Sequence, residues 1–582
     1  MIVVHVTHEA VDKIGGIGAV IAGLTTTEAY REAVERTILL GPLLSTDGPV
    51  NRRLGVGGHV IYSSLDAIAP PEWREKFLAI EKTYDVGIIY GKREVQDACT
   101  GKAVDVEVLL VDVFHANPQR LNLFKGELYK KFLVPSERFE GVWEYEEYVR
   151  LAEPGFEALK AVGANNGQQM VILSHEYMGM PTALKAVLDG GHATRTVFYA
   201  HEVATVRPIV EELPGHDTMF YNVLRRAAAE GRTCEDVFPQ VRENFKHPLV
   251  RAARYCDHVF AVGDFVVDEL KFLEPHFQTM DIDLVYNGIP AQRITLAERL
   301  VSKRRLQQYA ENLTGRRPEW IFSHVARPVL SKGIWRDLAV LHDLEPMLAG
   351  RGESVVYFML GTLAGQRRRQ DIRQMERVYG WPVGHEEGYP DLCSGEEVVG
   401  RMFNDFNRNH RAARAILVNQ WDWNRQMCGD RMPEDMTFAD LRRGTDLEFG
   451  LSVYEPFGIS QLEPLSFGAL CLVSNVCGCV GFARRAAGGK LDEDNIVEAD
   501  FLKVPEAMDV PRLLGLSTAE RDEVEAAEAA RLAAIVAERL VNEEAVIERR
   551  MARGYELSCR MSWEHVVTEY FLPSLASTAR GV

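Results

Sequence analysis

Tyr454-Glu-Pro-Phe-Gly-Ile-Ser-Gln-Leu-Glu463 places two carboxylates eight positions apart, on either side of a Pro/Gly turn and the start of a helix. An apolar run precedes this stretch, and another, Leu470-Cys-Leu-Val-Ser474, follows it. The order strand, acidic turn, helix, strand is typical of a parallel α/β sheet. Because such sheets bind ligands outside the carboxyl ends of their strands, we expect Glu455 and Glu463 at a binding edge.

Each carboxylate also has an ordinary structural interpretation. Ser460-Gln-Leu-Glu463 fits a capping box, in which Glu463 would only bond the backbone of its own helix cap. Glu455, just before Pro456, fits a solvated turn residue. A hydrolytic pair is disfavoured, because eight helical residues rise about 12 Å, whereas glycosidase carboxylates lie roughly 5 to 9.5 Å apart.

Together, Glu455 and Glu463 form an E-x7-E pattern, and the surrounding Glu-Pro-Phe-Gly is typical of the same group of enzymes. In these features the chain resembles the retaining glycosyltransferases of the glycogen/starch synthase type. The resemblance implies an α/β fold with two facing Rossmann-like domains (GT-B type), an interdomain cleft and a C-terminal helical segment. It also implies that Glu455 faces the donor sugar and that Glu463 holds the nucleotide ribose.

Composition limits the class of protein and its partners. A chain of 582 residues is too long for one core and suits two large lobes. Its net charge of −18 disfavours nucleic acid and anionic membranes as partners. No apolar run approaches the ~18 residues of a membrane span, and Ile2–Val6 is too short for a signal peptide. The nine cysteines lack paired zinc-site spacing, so we expect a cytoplasmic protein with reduced thiols.

Short β-branched runs alternate with helical segments along the whole chain, which favours mainly parallel sheets with helices on both faces. The runs in the first half are 2–6, 37–40, 86–90, 106–111, 171–173, 196–199, 258–262 and 284–286. Those in the second half are 320–324, 355–360, 416–418, 451–454 and 470–474. With this pattern, the resemblance implies an acceptor-side Rossmann-like domain over 1–290, a nucleotide-sugar-binding one over 291–560, and a C-terminal helix over 561–582 that packs back on the first.

Two segments stand outside this alternation. Gly365–Arg443 is charged, is longer than a sheet connection needs to be, and is interpreted as a helical insertion that could serve acceptor recognition. Thr518–Arg553 is rich in Ala, Glu and Arg and contains no helix breaker, which predicts one long surface helix.

A glycine-rich turn follows the first strand at Asp12-Lys-Ile-Gly-Gly-Ile-Gly18. Glycines there let backbone N–H groups and a helix N-terminus approach a phosphate, and Lys13 adds a mobile charge. The dinucleotide G-x-G-x-x-G pattern fails because residue 21 is Ile, so a plain strand-to-helix turn is an alternative. The turn resembles the K-x-G-G loop of glycogen and starch synthases, which implies that Lys13, Gly15 and Gly16 bind the donor.

Arg327-Pro-Val-Leu-Ser-Lys332 follows the first strand of the second half. Two cations at this sheet edge can neutralise a diphosphate leaving group, Arg through a bidentate fork and Lys as a point charge. Two solvated basic residues on a loop are the alternative. The resemblance implies donor-phosphate contacts for both Arg327 and Lys332, at this same point in the chain.

Three further matches to this family occur in its order along the chain. Ser174-His-Glu176 ends one strand, His201 follows the strand Val197–Ala200, and Val285-Tyr-Asn-Gly-Ile289 precedes the interlobe linker. His201 corresponds to the histidine beside the donor sugar; a structural histidine at a strand end is the alternative. His175 is interpreted as architecture or acceptor support.

We expect no metal and no cofactor, because Arg327, Lys332 and helix dipoles can stabilise the leaving group. Asp281-Ile-Asp283 matches the D-x-D of metal-dependent transferases but is better interpreted as a strand flank. The predicted function is retaining transfer of glucose from a nucleotide sugar, UDP- or ADP-glucose, to the end of an α-1,4-glucan. Glu455, His201, Arg327 and Lys332 would be the catalytic residues; a homo-oligomer is compatible with this prediction.

Three alternatives stay open: transfer to a small acceptor such as a sugar phosphate, epimerisation of the nucleotide sugar, and a non-catalytic glucan-binding role. The base of the donor and the acceptor are not fixed by the sequence.

Overall fold

The computed structural model describes residues 1–11, 15–47, 49–55, 57–97, 101–164, 168–189, 191, 193–491 and 495–580. The chain divides into two compact units. The first unit comprises Met1–Pro208, Ala227–Gly288 and Trp563–Val582, and the second unit comprises Ile209–Arg226 and Ile289–Ser562. The divisions at 288/289 and 562/563 lie within two residues of the boundaries expected from the sequence.

The first unit is built on a nine-stranded sheet. Its strands are β1 Ile2–Val6, β2 Arg36–Pro42, β3 His59–Ser63, β4 Gly87–Gln96, β5 Ala103–Asp112, β6 Met170–His175, β7 Thr194–Ala200, β8 His258–Ala261 and β9 Ile282–Leu284. The spatial order is β3-β4-β5-β2-β1-β6-β7-β8-β9. β4 pairs antiparallel with β3 and β5, and all other neighbours are parallel. From β5 to β9 this is the doubly wound arrangement, which reverses direction between β1 and β6.

The second unit carries a six-stranded, fully parallel sheet. Its strands are β10 Trp320–Val325, β11 Val355–Leu360, β12 Ala413–Val418, β13 Leu447–Gly450, β14 Leu470–Ser474 and β15 Ile496–Ala499. The order β12-β11-β10-β13-β14-β15 is the Rossmann order 3-2-1-4-5-6. The direction of winding reverses between β10 and β13, which are direct neighbours.

Helices connect most successive strands in both units. Those whose residues belong wholly or mainly to the first unit are 17–25, 28–33, 71–84, 118–132, 143–161, 176–189, 234–237, 246–251, 264–273, 563–566 and 572–580. Those of the second unit are 296–314, 334–350, 369–379, 396–409, 425–428, 438–444, 459–462, 478–486, 510–514, 518–539 and 544–559. Two further helices, 206–212 and 216–229, cross from one set of residues to the other.

The strands of the second sheet are buried on both faces, as parallel strands are. In β11, Val355, Tyr357 and Met359 point into one core together with the helix 518–539. Val356, Phe358 and Leu360 point into the opposite core, which contains Trp381 and Trp423. This period of two explains why β11 is a continuous apolar run in the sequence.

Trp563 fixes the C-terminal segment to the first unit. Its indole occupies the space that side chains would need at Gly23 and Gly288: a Cβ on Gly23 would lie 2.1 Å from the ring, and one on Gly288 would lie 2.5 Å from it. Both glycines are therefore required by close packing rather than by backbone conformation.

Ile209–Arg226 belongs to the second unit, whereas the sequence assigned it to the N-terminal domain. A buried ion pair holds it there: Arg336 Nη2 lies 2.6 Å from Asp217 Oδ1 and 2.7 Å from Glu525 Oε1. Thr218 Oγ1 also donates to the carbonyl of Phe501 over 2.8 Å. These partners are more than a hundred residues apart, which local sequence patterns cannot detect.

Three other expectations need correction. The strand expected over 451–454 lies at Leu447–Gly450, and 451–454 is the loop that follows it. The long helix over 518–553 is two helices, because Leu540 turns into the core with an extended backbone, and the first of them is buried along one side. The segment 365–443 supplies edge strand β12 as well as helices, so it is part of the sheet architecture rather than a helical insertion.

Across the described ranges, no helix is both long enough and apolar enough to span a bilayer.

Candidate active site

The winding reversal of the second sheet brings together the two loops that carry Arg327, Lys332 and Glu455. One loop, 326–333, follows β10, and the other, 451–458, follows β13. Because β10 and β13 are parallel neighbours, both loops leave the same edge of the sheet. This is the position at which open α/β sheets bind ligands.

Backbone contacts join these two loops. The carbonyl of Ser331 accepts hydrogen bonds from the N–H groups of Val453 and Tyr454, over 2.8 and 3.2 Å. Gly333 has φ 62°, and a Cβ there would lie 2.2 Å from the carbonyl oxygen of Leu451. Only glycine satisfies both the left-handed backbone and the close approach. The spacing between Lys332 and Glu455 is thus fixed by the main chain.

Lys332 and Glu455 form an ion pair, with Nζ against Oε2. Their side chains are 18% and 16% exposed, so both are shielded from bulk water yet remain open to a ligand. Arg327, five residues before Lys332, is exposed. The helix 334–350 begins directly after Gly333, and its N-terminus adds a partial positive charge to the two side-chain cations. The loop after β10 is therefore electropositive, and the neighbouring loop after β13 places one carboxylate, Glu455, against it.

Glu463 does not cap the helix. The short helix is Ile459–Leu462, its N-cap is Gly458 with φ 92°, and the cap makes no side-chain hydrogen bond. Glu463 Oε2 instead lies 3.1 Å from Nε of Arg442. Arg442 also pairs with Glu448 of β13 over 3.0 Å. The capping-box interpretation is wrong, because Ser460 lies inside the helix and cannot act as its cap.

Backbone hydrogen bonds join the segment Cys477–Cys479 to the loop 451–458. The N–H of Gly478 donates to the carbonyl of Glu455 over 3.2 Å, and that of Cys479 donates to Phe457 over 2.8 Å. Both thiols are buried, and burial raises the pKa of each above its usual value. Both thiols therefore pack against the motif in their protonated form.

The first sheet reverses between β1 and β6, where the glycine turn and Ser174-His-Glu176 leave the sheet. Lys13 lies outside the described residues. Gly16 is the N-cap of the helix 17–25, and the N–H of Gly18 donates to Glu9 Oε2 over 2.9 Å. Glu9 also lies close to Gly15, where a Cβ would be 3.1 Å from Oε1. A buried carboxylate thus occupies part of the helix N-terminus that the sequence assigned to phosphate.

His201 follows β7 in the same unit and is hydrogen-bonded to the buried His175. Its Nε2 lies 2.7 Å from Nδ1 of His175, and the two rings are stacked with an interplanar angle of 7°. Burial lowers the pKa of His201 to about 3, so the ring is neutral near pH 7. The ring of Tyr199 also stacks on that of His201, with ring centroids 4.4 Å apart.

Glu176 adopts a left-handed backbone with φ 58° and is buried. Its Oε1 accepts from the N–H of Glu202 over 2.6 Å. Burial, and then the charge of Glu202, raise the pKa of Glu176 well above the usual range of a carboxyl group. The left-handed backbone of Glu176 lets its carboxylate bind the main chain directly after His201.

The structure thus brings Arg327, Lys332, Glu455 and Glu463 to one edge of the second unit, and Gly15, Gly16 and His201 to one edge of the first. Sequence reasoning missed the supporting residues Arg442, Glu9 and His5. A usable signal existed for His5, because a histidine inside an apolar strand needs a hydrogen-bond partner. No metal-binding cluster of His, Cys, Asp or Glu occurs among the residues that the structure describes.

The sequence matches no protein-family model and no curated protein. Solved structures are similar in fold over essentially the full chain. The catalytic domain of starch synthase IV from Arabidopsis thaliana, bound to ADP and acarbose, has a TM-score of 0.54 at 12% identity and covers 100% of this chain and 99% of its own. An E. coli trehalose-6-phosphate structure bound with UDP-2-fluoro glucose has a TM-score of 0.51 at 11% identity, with coverage of 100% and 99%.

An α,α-trehalose-phosphate synthase (UDP-forming) from Burkholderia xenovorans, in complex with glucose-6-phosphate, has a TM-score of 0.51 at 13% identity and covers 99% of both chains. At this level of identity the likeness establishes a shared fold. The predicted fold class, two Rossmann-like domains of the GT-B type with a C-terminal helical segment, is confirmed.

Proposed function

We propose that this chain is a retaining glycosyltransferase that takes glucose from a nucleotide sugar. One observation carries the proposal: Lys332 of the R-x4-K loop and Glu455 of the E-x7-E motif, 123 positions apart, form an ion pair at the reversal point of a Rossmann sheet. Two motifs identified separately in the sequence therefore meet at the edge where such sheets bind ligands.

The charges at this edge suit a nucleoside diphosphate leaving group. Arg327 offers a bidentate fork to a phosphate, and Lys332 offers a point charge. A negatively charged diphosphate would draw Lys332 toward itself and release Glu455 toward the sugar. Such preorganised charges can supply several kcal/mol of transition-state stabilisation, so we propose that no metal ion is required.

Glu463 is the proposed acceptor for the ribose hydroxyls. Its partner Arg442 is buried and is shared with Glu448, so the carboxylate is held in place, and 17% of the Glu463 side chain is exposed. In the first unit we assign His201 to a hydroxyl of the donor sugar. Lys13, Gly15 and Gly16 remain proposed donor contacts; because Glu9 occupies the N–H of Gly18, any phosphate contact there requires the cation of Lys13.

The acceptor we propose is the end of an α-1,4-glucan, elongated by UDP- or ADP-glucose. A sugar phosphate is the second candidate, because structures with trehalose-phosphate synthase descriptions share the fold to a similar degree as the starch synthase does. A cytoplasmic location is proposed with it, since all eight described cysteines are free thiols.

The test is incubation of the purified chain with UDP-glucose or ADP-glucose, alone, with glycogen, or with glucose-6-phosphate. Release of nucleoside diphosphate together with polymer-bound glucose supports the glucan acceptor, and a small phosphorylated glycoside supports the second candidate. Epimerised nucleotide sugar, or no turnover with any combination, contradicts the proposal. Lys332→Ala serves as the inactive control for contaminating activities.

A further inference from the structure

Three buried side chains of the first unit and the half-buried His201 form a continuous series of hydrogen bonds that ends at His201. Tyr30 Oη lies 3.2 Å from His5 Nε2, His5 Nδ1 lies 2.9 Å from His175 Nε2, and His175 Nδ1 lies 2.7 Å from His201 Nε2. The three histidines come from the neighbouring strands β1 and β6 and from the residue after β7. We call Tyr30, His5, His175 and His201 the histidine chain.

The contacts between the rings couple their tautomers. A neutral imidazole has one N–H donor and one bare nitrogen acceptor. Each of the two nitrogen–nitrogen contacts needs one donor and one acceptor. Consequently all three rings carry the proton on Nδ1, or all three carry it on Nε2. A ring with the opposite tautomer would place two N–H groups, or two lone pairs, against each other in a dry interior.

Burial keeps the chain neutral. His5 and His175 are fully buried. Burial lowers the pKa of His5 to about 3, lowers that of His201 to about 3, and lowers that of His175 well below its usual range. A protonated ring would donate from both nitrogens, so it would reverse the donor–acceptor direction of the contacts on one side as well as bury a charge.

The tyrosine at the inner end selects one of the two states. Tyr30 is 1% exposed, and its Oη also lies 3.1 Å from Oγ1 of Thr37. A phenol is a stronger hydrogen-bond donor than a neutral imidazole N–H, and the bare imidazole nitrogen is the stronger acceptor. Tyr30 therefore donates to His5 Nε2, and the hydroxyl of Thr37 donates to Tyr30. This direction puts the proton on Nδ1 of every ring in the chain.

Nδ1 of His201 is the outer end of the series. No hydrogen bond to this atom is seen within the described residues, and the side chain is only partly covered. With Nε2 engaged by His175, the ring has a single free polar atom, and that atom carries a proton. The outer end is thus a donor with a fixed direction rather than a group that can either donate or accept.

We propose that Tyr30, His5 and His175 are positioning residues that fix His201 as the Nδ1–H tautomer, so that it donates a hydrogen bond to a hydroxyl oxygen of the donor sugar. The inference rests on the proposed function, in which His201 contacts that sugar. It adds the direction of the hydrogen bond and the three residues that set it.

The test compares Tyr30→Phe with Tyr62→Phe in the full chain. Both tyrosines are buried in the first unit, but the hydroxyl of Tyr62 bonds the carboxylate of Glu81, outside the histidine chain. Solid-state ¹⁵N NMR of histidine-labelled protein reports which ring nitrogen carries the proton, and a His201→Asn spectrum assigns the His201 signals. Thr37→Val is the milder variant should Tyr30→Phe fold poorly.

We expect Nδ1–H for His201 in the wild-type chain and in Tyr62→Phe, and a mixture of tautomers in Tyr30→Phe. Loss of one neutral hydrogen bond predicts a roughly 5- to 10-fold lower kcat in Tyr30→Phe, and no comparable loss in Tyr62→Phe. The penalty should vanish with a nucleotide sugar that lacks the contacted hydroxyl, which a merely structural effect would not do.

An Nε2–H signal for His201 in the wild type overturns the inference while leaving transferase activity intact. So does a Tyr30→Phe variant that shifts the tautomer but transfers glucose at the wild-type rate. A wild-type chain that releases no nucleoside diphosphate refutes the proposed function and the role of His201 with it, whereas the NMR spectra report on the tautomers independently of turnover.

Discussion

Replacing Lys332 by methionine removes the ammonium that lies against Glu455 and keeps a side chain of similar length. The free energy of unfolding and the activation free energy of glucose transfer both change, and the structure predicts a different magnitude for each. The ion pair is partly shielded, with 18% and 16% of the two side chains exposed, so its contribution to folding stability is expected near the upper end of the surface range, about 1 kcal/mol. The backbone contacts between the loops remain in the variant.

The loss of turnover should be larger. If Lys332 stabilises the departing diphosphate, its removal deletes a preorganised charge, which costs roughly 10² to 10³ in kcat, or about 2.7 to 4 kcal/mol. A structural lysine would instead lower activity only in proportion to the fraction of unfolded protein. The two interpretations therefore separate by at least an order of magnitude in rate.

A double-mutant cycle with Glu455→Gln measures how the pair works together. Because the two side chains are in contact, their effects on stability should not add, and the double variant should be hardly less stable than either single one. The kcat of the double variant should be lower than that of each single variant, but its fold-loss should be smaller than the product of the two single fold-losses. Unfolding in urea and initial rates of nucleoside diphosphate release give the two sets of values.

Arg401→Met is the matched control. Arg401 pairs with Glu387 over 2.6 Å in the same unit, but both side chains are 59% exposed and lie away from the reversal point. Its stability and turnover should match the wild type. The reasoning fails if Lys332→Met retains turnover within fivefold of the wild type with an intact fold, or if both lysine and arginine variants lose activity equally.

Glu463→Gln should weaken donor binding about tenfold in calorimetry, because a neutral amide replaces a charge-assisted acceptor, with only a small drop in Tm; unchanged affinity would remove the ribose assignment. Activity should survive EDTA, and a loss restored by Mg²⁺ would contradict the metal-free mechanism. Gly23→Ala should lower stability by roughly 1–3 kcal/mol, because the new methyl group clashes with Trp563. The control Gly126→Ala has open space around it and should be neutral or stabilising by up to ~1 kcal/mol. Equal Tm shifts in the two variants would refute the packing argument. Burial lowers the pKa of His5 to about 3, so the contribution of this group to stability should be complete above pH 6.5. Below that pH the free energy of unfolding should fall by about 1.4 kcal/mol per pH unit for this group. His5→Gln should flatten that slope in urea titrations at pH 5 to 7, and an identical slope would exclude a neutral His5.

Apolar periodicity was sufficient to predict most strands, because a strand buried on both faces is a continuous β-branched run. It failed at β13, where the strand is Leu447–Gly450 and the apolar residues that follow belong to the loop. The reason is Glu448, a charged residue inside the strand, which is buried and paired with Arg442. A carboxylate in this position interrupts the apolar run and makes the strand look like part of the preceding segment.

The sequence predicted those parts of the site whose residues lie close together along the chain. R-x4-K places Arg327 and Lys332 within the loop after β10, whereas E-x7-E places Glu455 in the loop after β13 and Glu463 after the short helix 459–462. The support for those residues is nonlocal: Ser331 binds the backbone of Val453, and Arg442 holds Glu463. Such pairs depend on which strands are neighbours, and strand order is not encoded in the spacing of a single motif.

Buried polar residues in the strands next to the reversal points offer a signal that periodicity alone lacks. In the first sheet, β1 and β6 carry His5 and His175, and in the second, Glu448 of β13 accepts the N–H of Val325 at the end of β10 over 3.0 Å. An unpaired polar group in such a place costs roughly 1–3 kcal/mol, so it persists only where a neighbouring strand supplies its partner.

Apolar residues at those positions would avoid the free-energy cost of burying a polar group. They could not, however, form the hydrogen bonds that orient a histidine ring or a loop at the carboxyl edge of the sheet. A polar residue inside an apolar strand therefore indicates both which edge of the sheet is organised for binding and that an adjacent strand carries its partner. Searching the sequence for such interruptions would have selected His5, His175 and Glu448 as positions that need a partner from another strand.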